Sequence, residues 1–137
     1  MRDQNQIYRI LDANFNRLRE GLRVIEEHFR FIASDEKACV DIKRMRHEVA
    51  GMENAFGAEP LLKGRDTGAD CFASASRPEE MERGGAGDVL RANFKRAQEA
   101  CRVIEEYAKA CGEAGAKASR EAKAMRFLLY DLQKGRA

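Results

Sequence analysis

"LDANFNRLREGLRVIEE" (11–27) and "LRANFKRAQEACRVIEE" (90–106) are nearly one phrase written twice, 79 residues apart in a chain of 137 residues. Eleven of the seventeen paired positions are identical: Leu11/Leu90, Ala13/Ala92, Asn14/Asn93, Phe15/Phe94, Arg17/Arg96, Glu20/Glu99, Arg23/Arg102, Val24/Val103, Ile25/Ile104, Glu26/Glu105 and Glu27/Glu106. Further on, "KRMRHEV" (43–49) faces "KAMRFLL" (123–129) at an offset of 80. A repeat of this length reads as one supersecondary unit used twice. Each half is a long helix, a break, and a second helix that carries K-x-M-R.

Leu11, Phe15, Leu18, Leu22, Ile25 and Phe29 recur at steps of four and three, one apolar stripe on a helix. Leu90, Phe94, Ala97, Cys101, Ile104 and Ala108 repeat the stripe in the copy. The spacing predicts helices over about 3–33, 35–55, 89–110 and 116–134. Ser34-Asp35-Glu36 is the expected cap of the second helix and Asp88 of the third, Gly57 and Pro60 a stop, and "GEAG" (112–115) a break. No window alternates with period two. The expected fold is all-α: a four-helix bundle of two duplicated hairpins related by a pseudo-twofold. It is one domain, with repeat 1 at about 3–56, a connector at about 57–87 and repeat 2 at about 88–134. The connector carries both prolines, and Pro78 is expected to open a short helix over 78–83.

Composition excludes several classes. Net charge is only +2, against the strongly basic face of a duplex nucleic-acid binder. No apolar run is long enough to cross a bilayer, and the N-terminus lacks a signal-peptide apolar stretch, so a cytoplasmic protein is expected. The four cysteines form no CxxC pair and no zinc spacing with His28 or His47. The basic residues are 17 Arg and 8 Lys. Arg presents a planar fork that grips phosphate or carboxylate by two bonds at once.

The repeated polar residues are the candidates. On a helical wheel Asn14, Gly21, Arg17, Val24 and Glu20 follow one another along the flank of the stripe, and Asn93, Ala100, Arg96, Val103 and Glu99 repeat them. Asn is a poor helix former, so a half-buried Asn needs partners, either a backbone group or a ligand. Gly21 costs up to about 1 kcal/mol against Ala in mid-helix, and a close helix crossing is the expected return. Arg23 and Arg102, with Glu27 and Glu106 four residues on, read as surface pairs. Three further clusters stand out. "RMRHE" (44–48) places Arg46 and His47 on a helix; "GRDTGAD" (64–70) spaces Arg65, Asp66, Thr67 and Asp70 by glycines. "GGAG" (84–87) precedes a helix, either an anion-binding turn or a hinge; it lacks the Lys and Ser/Thr of a Walker loop. Asp66 and Asp70 suit either Mg²⁺ beside phosphates or an Asx turn.

Together "ILDANFNRLREGLRVIEEHFRF", "RMRHE", "GRDTGAD" and "ANFKRAQEACRVIEEYAK" resemble the helical domain often fused ahead of the thiamine-phosphate synthase barrel, over about 8–134. That domain looks like the second, non-ribokinase-like type of hydroxymethylpyrimidine phosphate kinase. The resemblance implies ATP- and Mg²⁺-dependent phosphorylation of hydroxymethylpyrimidine phosphate to its diphosphate. No barrel segment is present, so synthase activity is not expected of these residues.

The attacking phosphate oxygen is already ionised, so charge neutralisation and alignment would carry such a step. Arg17, Arg46, His47, Arg65 and Asp66 are the expected catalytic residues. Asn14, Glu20, Asn93, Arg96 and Glu99 are expected to bind substrate, with the two amides reading the aminopyrimidine edge. Asp66 and Asp70 are the expected metal ligands, with Glu20 or Glu99 as candidate additions. The alternative is a non-catalytic helical module that binds a pyrimidine phosphate or docks on thiamine-phosphate synthase. A homodimer is compatible with the sequence, which gives no interface.

Overall fold

The structure, a computed structural model, describes residues 2–77 and 81–136. Helix α1 (Arg2–Phe31) and α2 (Glu36–Phe56) form the first hairpin. A short α3 (Ala58–Gly64) and a 3₁₀ turn (Thr67–Ala69) open the connector. Helix α4 (Ala86–Ala108) and α5 (Gly112–Arg136) form the second hairpin. The fold is all-α.

The apolar stripe explains the packing. Leu11, Phe15, Leu18, Leu22 and Ile25 on α1, and Phe94, Ala97, Cys101, Ile104 and Ala108 on α4, are all fully buried. Burying one such large side chain stabilises by about 1.5–3 kcal/mol. The two stripes face each other, and α1 against α4 is the most extensive interface. Phe29 meets Phe94 edge-on at 6.2 Å, while Asn14 shares a cleft with Val103 and Tyr107, so the two helices run antiparallel. Helix α2 packs on α1, α5 packs on α4, and α2 meets α5, closing a ring of four.

Gly21 lies at the crossing. A Cβ there would sit 3.4 Å from the Asn93 carbonyl oxygen and 3.5 Å from the Ala97 Cβ. The close helix approach expected for Gly21 is therefore what the structure shows.

Helix ends differ from the sequence expectation in instructive ways. Asp35 caps α2 as expected, its Oδ1 accepting from the Ala38 N–H at 3.1 Å. Asp88 is not the cap of α4. The helix starts after Gly85, and Asp88 in its first turn accepts from the Gly84 N–H at 3.1 Å. Pro60 does not end a helix; it sits in the first turn of α3, where backbone N–H groups have no helical partner to lose. "GEAG" is absorbed into the start of α5. Gly112 takes φ +67, and a side chain at Gly115 would overlap the Ala108 carbonyl oxygen. Residues 78–80 of the short helix expected over 78–83 lie outside the described residues. No helix among the described residues is long and apolar enough to cross a membrane.

Candidate functional site

The connector turns back onto α1 and builds a cleft there. Gly64 makes this possible: a Cβ at that position would stand 2.9 Å from the Arg9 backbone nitrogen. With the backbones so close, Arg65 reaches Asp12 on α1 with two parallel bonds. Its Nε donates to Oδ2 at 2.8 Å and its Nη2 to Oδ1 at 2.9 Å. Asp12 is only 6% exposed, so its charge depends on this fork. The hydrogen bond to Asp12, more than the Coulomb attraction between them, pushes the Arg65 guanidinium above its usual value. Arg9 adds a third tie, donating from Nη2 to the Asp66 carbonyl at 2.9 Å.

The cleft holds about 610 Å³ between α1, the 65–70 segment and the C-terminal half of α4. Asn14, Arg17, Arg65, Asp66 and Asp70 all line it, so five of the expected site residues come together. Thr67 of the "GRDTGAD" cluster also borders it, as do Arg9, Asp12 and Tyr107, which were not singled out from the sequence. Position twelve breaks the repeat, since Asp12 faces Arg91 in the copy. That departure was the available signal. Tyr107, in the last turn of α4, carried none.

The Asn14 amide donates from Nδ2 to the Ile10 carbonyl at 2.9 Å, and Asn93 does the same to Val89 at 2.9 Å. The backbone partner anticipated for these amides is thus present in both halves. The Asn14 Oδ1 accepts from Arg17 at a long 3.4 Å. Arg17 has no carboxylate partner among the described residues, which leaves its charge facing the cleft. Asp70 Oδ1 accepts from the Phe72 N–H two residues on, the Asx-type turn weighed for it, while Asp66 Oδ1 accepts from the Ala69 N–H three residues on and caps the 3₁₀ turn. No group of three or more metal-holding side chains occurs among the described residues.

The remaining expected residues lie elsewhere. Arg46 bonds Glu26 at 3.0 Å across the α1–α2 hairpin. It borders a separate groove together with His47 and Arg19. Arg126 repeats the pair with Glu105 at 2.9 Å across α4–α5. Glu20, Asn93, Arg96 and Glu99 do not border the Asn14 cleft.

A profile described as the ThiD2 family matches residues 9–135. This chain belongs to the ThiD2 family. Three relatives named thiamine-phosphate synthase extend the match. The one from Nostoc punctiforme is 42% identical over 130 residues, which cover 95% of this chain and 35% of the relative. That from Nostoc sp. is 41% identical over 130 residues, again 95% and 35%. That from Gloeobacter violaceus is 38% identical over 131 residues, 96% and 36%. The chain therefore spans about a third of the length of these relatives. No solved structure matches it.

These names correct one expectation. The relatives carry the name of a synthase, a transferase, and not that of a hydroxymethylpyrimidine phosphate kinase. The kinase assignment is overturned on that finding. Its physical weakness is clear from the cleft. Guanidinium, amide and carboxylate groups that would align a phosphoryl transfer are the same groups that hold a phosphorylated heterocycle without transferring anything.

Proposed function

We propose that this ThiD2 chain is a cytoplasmic, non-catalytic helical module that binds phosphorylated hydroxymethylpyrimidine in the α1–α4 cleft and associates with a thiamine-phosphate synthase. One observation carries the reading: Arg9, Arg17 and Arg65 border one cleft with Asn14. Only Arg65 of the three is neutralised by a carboxylate, through Asp12. The cationic edge suits a phosphate, and the amide suits the amino-bearing edge of the ring. Asp66 and Asp70 each keep one carboxylate oxygen outside their turns. Two such groups fit a Mg²⁺ held jointly with phosphate oxygens better than a closed protein cage. Exposed Phe127, Leu128 and Tyr130 on α5 offer apolar surface for the association.

Titration calorimetry with 4-amino-2-methyl-5-hydroxymethylpyrimidine phosphate, with and without Mg²⁺, tests the reading. Saturable binding is expected, weakened about tenfold or more in Arg17→Ala, since a hydrogen bond to a charged group is worth about 1.5–3 kcal/mol. Heat signals absent in the parent protein, or undiminished in Arg17→Ala with helicity intact, would remove the proposal.

A further inference from the structure

The cleft is built from both repeats. Arg9, Arg17 and Arg65 come from the first half and its connector, whereas Val103 and Tyr107 come from α4. Tyr107 is 43% exposed, an aromatic ring held at the wall of a cleft lined by three arginines and three aspartates. Its side chain makes no hydrogen bond, ring contact or cation contact among the described residues. The open part of the ring is unused by the fold. The equivalent position in the first half is His28, whose ring packs edge-on against Phe29 at 5.7 Å. The pseudo-equivalent surroundings differ too. Arg9 and Asp12 correspond to Asp88 and Arg91, which bond each other and neutralise their charges locally.

Resting on the binding reading above, we propose that Tyr107 is a ligand-binding residue: its ring, with Val103 beside it, is the face on which the pyrimidine of the ligand stacks. Two chemistries then divide the ligand. The arginines of the first half take its phosphate. The aromatic wall of the second half takes its ring. Asn14 borders the same cleft; it gives one N–H to Ile10 and takes only a long 3.4 Å bond from Arg17 on Oδ1, so Oδ1 keeps a lone pair that can accept from an exocyclic amino group. A site so composed prefers a flat, amino-bearing heterocycle carrying phosphate over phosphate alone.

The test compares two probes, hydroxymethylpyrimidine phosphate and inorganic phosphate, on the parent chain, Tyr107→Phe and Tyr107→Ala. Base-on-aromatic stacking predicts about a tenfold loss of affinity for the pyrimidine probe in Tyr107→Ala. Affinity for inorganic phosphate should stay within about twofold, and Tyr107→Phe should match the parent chain for both probes. Circular dichroism confirms the fold, which an exposed ring does not support. Equal loss of both probes in Tyr107→Ala, or loss of neither, overturns the stacking role while leaving the binding reading intact. A parent chain that binds neither probe overturns the binding reading first, and the stacking role with it.

Discussion

The two repeats have kept different things. Both hold a glutamate and an arginine in a partly buried pair that ties the first helix of the hairpin to the second: Glu26 with Arg46, Glu105 with Arg126. Both bend an asparagine amide back onto the carbonyl four residues earlier. Both carry the surface pair, Arg23 with Glu27 and Arg102 with Glu106. Only the first half gains α3 and the 65–70 segment, and only there does Asp12 wait for Arg65. What the halves share is therefore hairpin construction. What they do not share is the cleft. Duplication supplied a scaffold, and the departures from it mark the site.

The largest effects should come from the shared pair. Arg126 and Glu105 side chains are 13% and 6% exposed, against 28% and 10% for Arg46 and Glu26. Removing one partner strands a buried charge at a cost of about 3–5 kcal/mol. Arg126→Ala should fall short of that range because Glu105 keeps a 3.5 Å ion pair with the half-exposed Arg102, and Arg46→Ala should cost less again because Glu26 reaches more water. Urea midpoints of the two variants measure the difference. Equal, small losses would show that the pair is not what holds each hairpin.

Next come the departures. Arg65→Ala leaves Asp12 buried without its fork, which should cost about 1–3 kcal/mol. Arg91→Ala, at the equivalent of Asp12, removes only an exposed pair with Asp88 and should change stability by less than about 0.5 kcal/mol. Gly64→Ala should resemble Arg65→Ala, since its Cβ meets α1 backbone. Thermal melts of the three variants sharpen the comparison. If Arg91→Ala proved as damaging as Arg65→Ala, the asymmetry between the halves would lose its meaning.

The helix crossing gives a smaller test. Gly21 corresponds to Ala100, and a Cβ at Gly21 would find neighbours at 3.4 Å and beyond. Gly21→Ala gains helix propensity of up to about 1 kcal/mol and meets at most slight crowding. A melting temperature equal to or slightly above that of the parent chain is expected. A sharp fall would mean that the α1–α4 approach is tighter than these distances allow.

The bundle was legible because its evidence is periodic: six stripe positions per long helix, all buried, and a second copy confirming each. Arg17 and Asn14 were legible as candidates because a polar residue that recurs beside a stripe needs a reason. The cleft itself was not. It depends on Gly64 lying against Arg9 and on Arg65 spanning 53 residues back to Asp12, and neither proximity has a local sequence signature. The K-x-M-R repeat has a different account: Arg46 and Arg126 each form a pair with a glutamate within their own hairpin. Agreement between copies reports mostly on hairpin construction; to the recurring Asn14 and Arg17 the cleft adds Asp12, where the copies disagree, and Arg65, which has no copy.

The last difference between the halves lies inside the core, where Leu22 is matched by Cys101. Burial, partly offset by Arg126, pushes the Cys101 thiol up to about 12 from 9.0. The folded pKa is raised, so the thiol's contribution to stability is complete below about pH 9 and is lost as pH climbs toward 12. Over that window the unfolded chain releases a proton that the folded chain keeps. Between pH 8 and pH 10 one such group should lower stability by about 1.4 kcal/mol. Cys39 and Cys111 are also raised by burial, so the total slope is not due to Cys101 alone. Subtracting the slope of Cys101→Ala, measured by urea unfolding at both pH values, isolates the second half's share. The first half, with Leu22 in that place, has nothing to subtract. Parallel slopes for the two proteins would mean that water reaches this thiol, and that the second stripe is less tightly closed than the first.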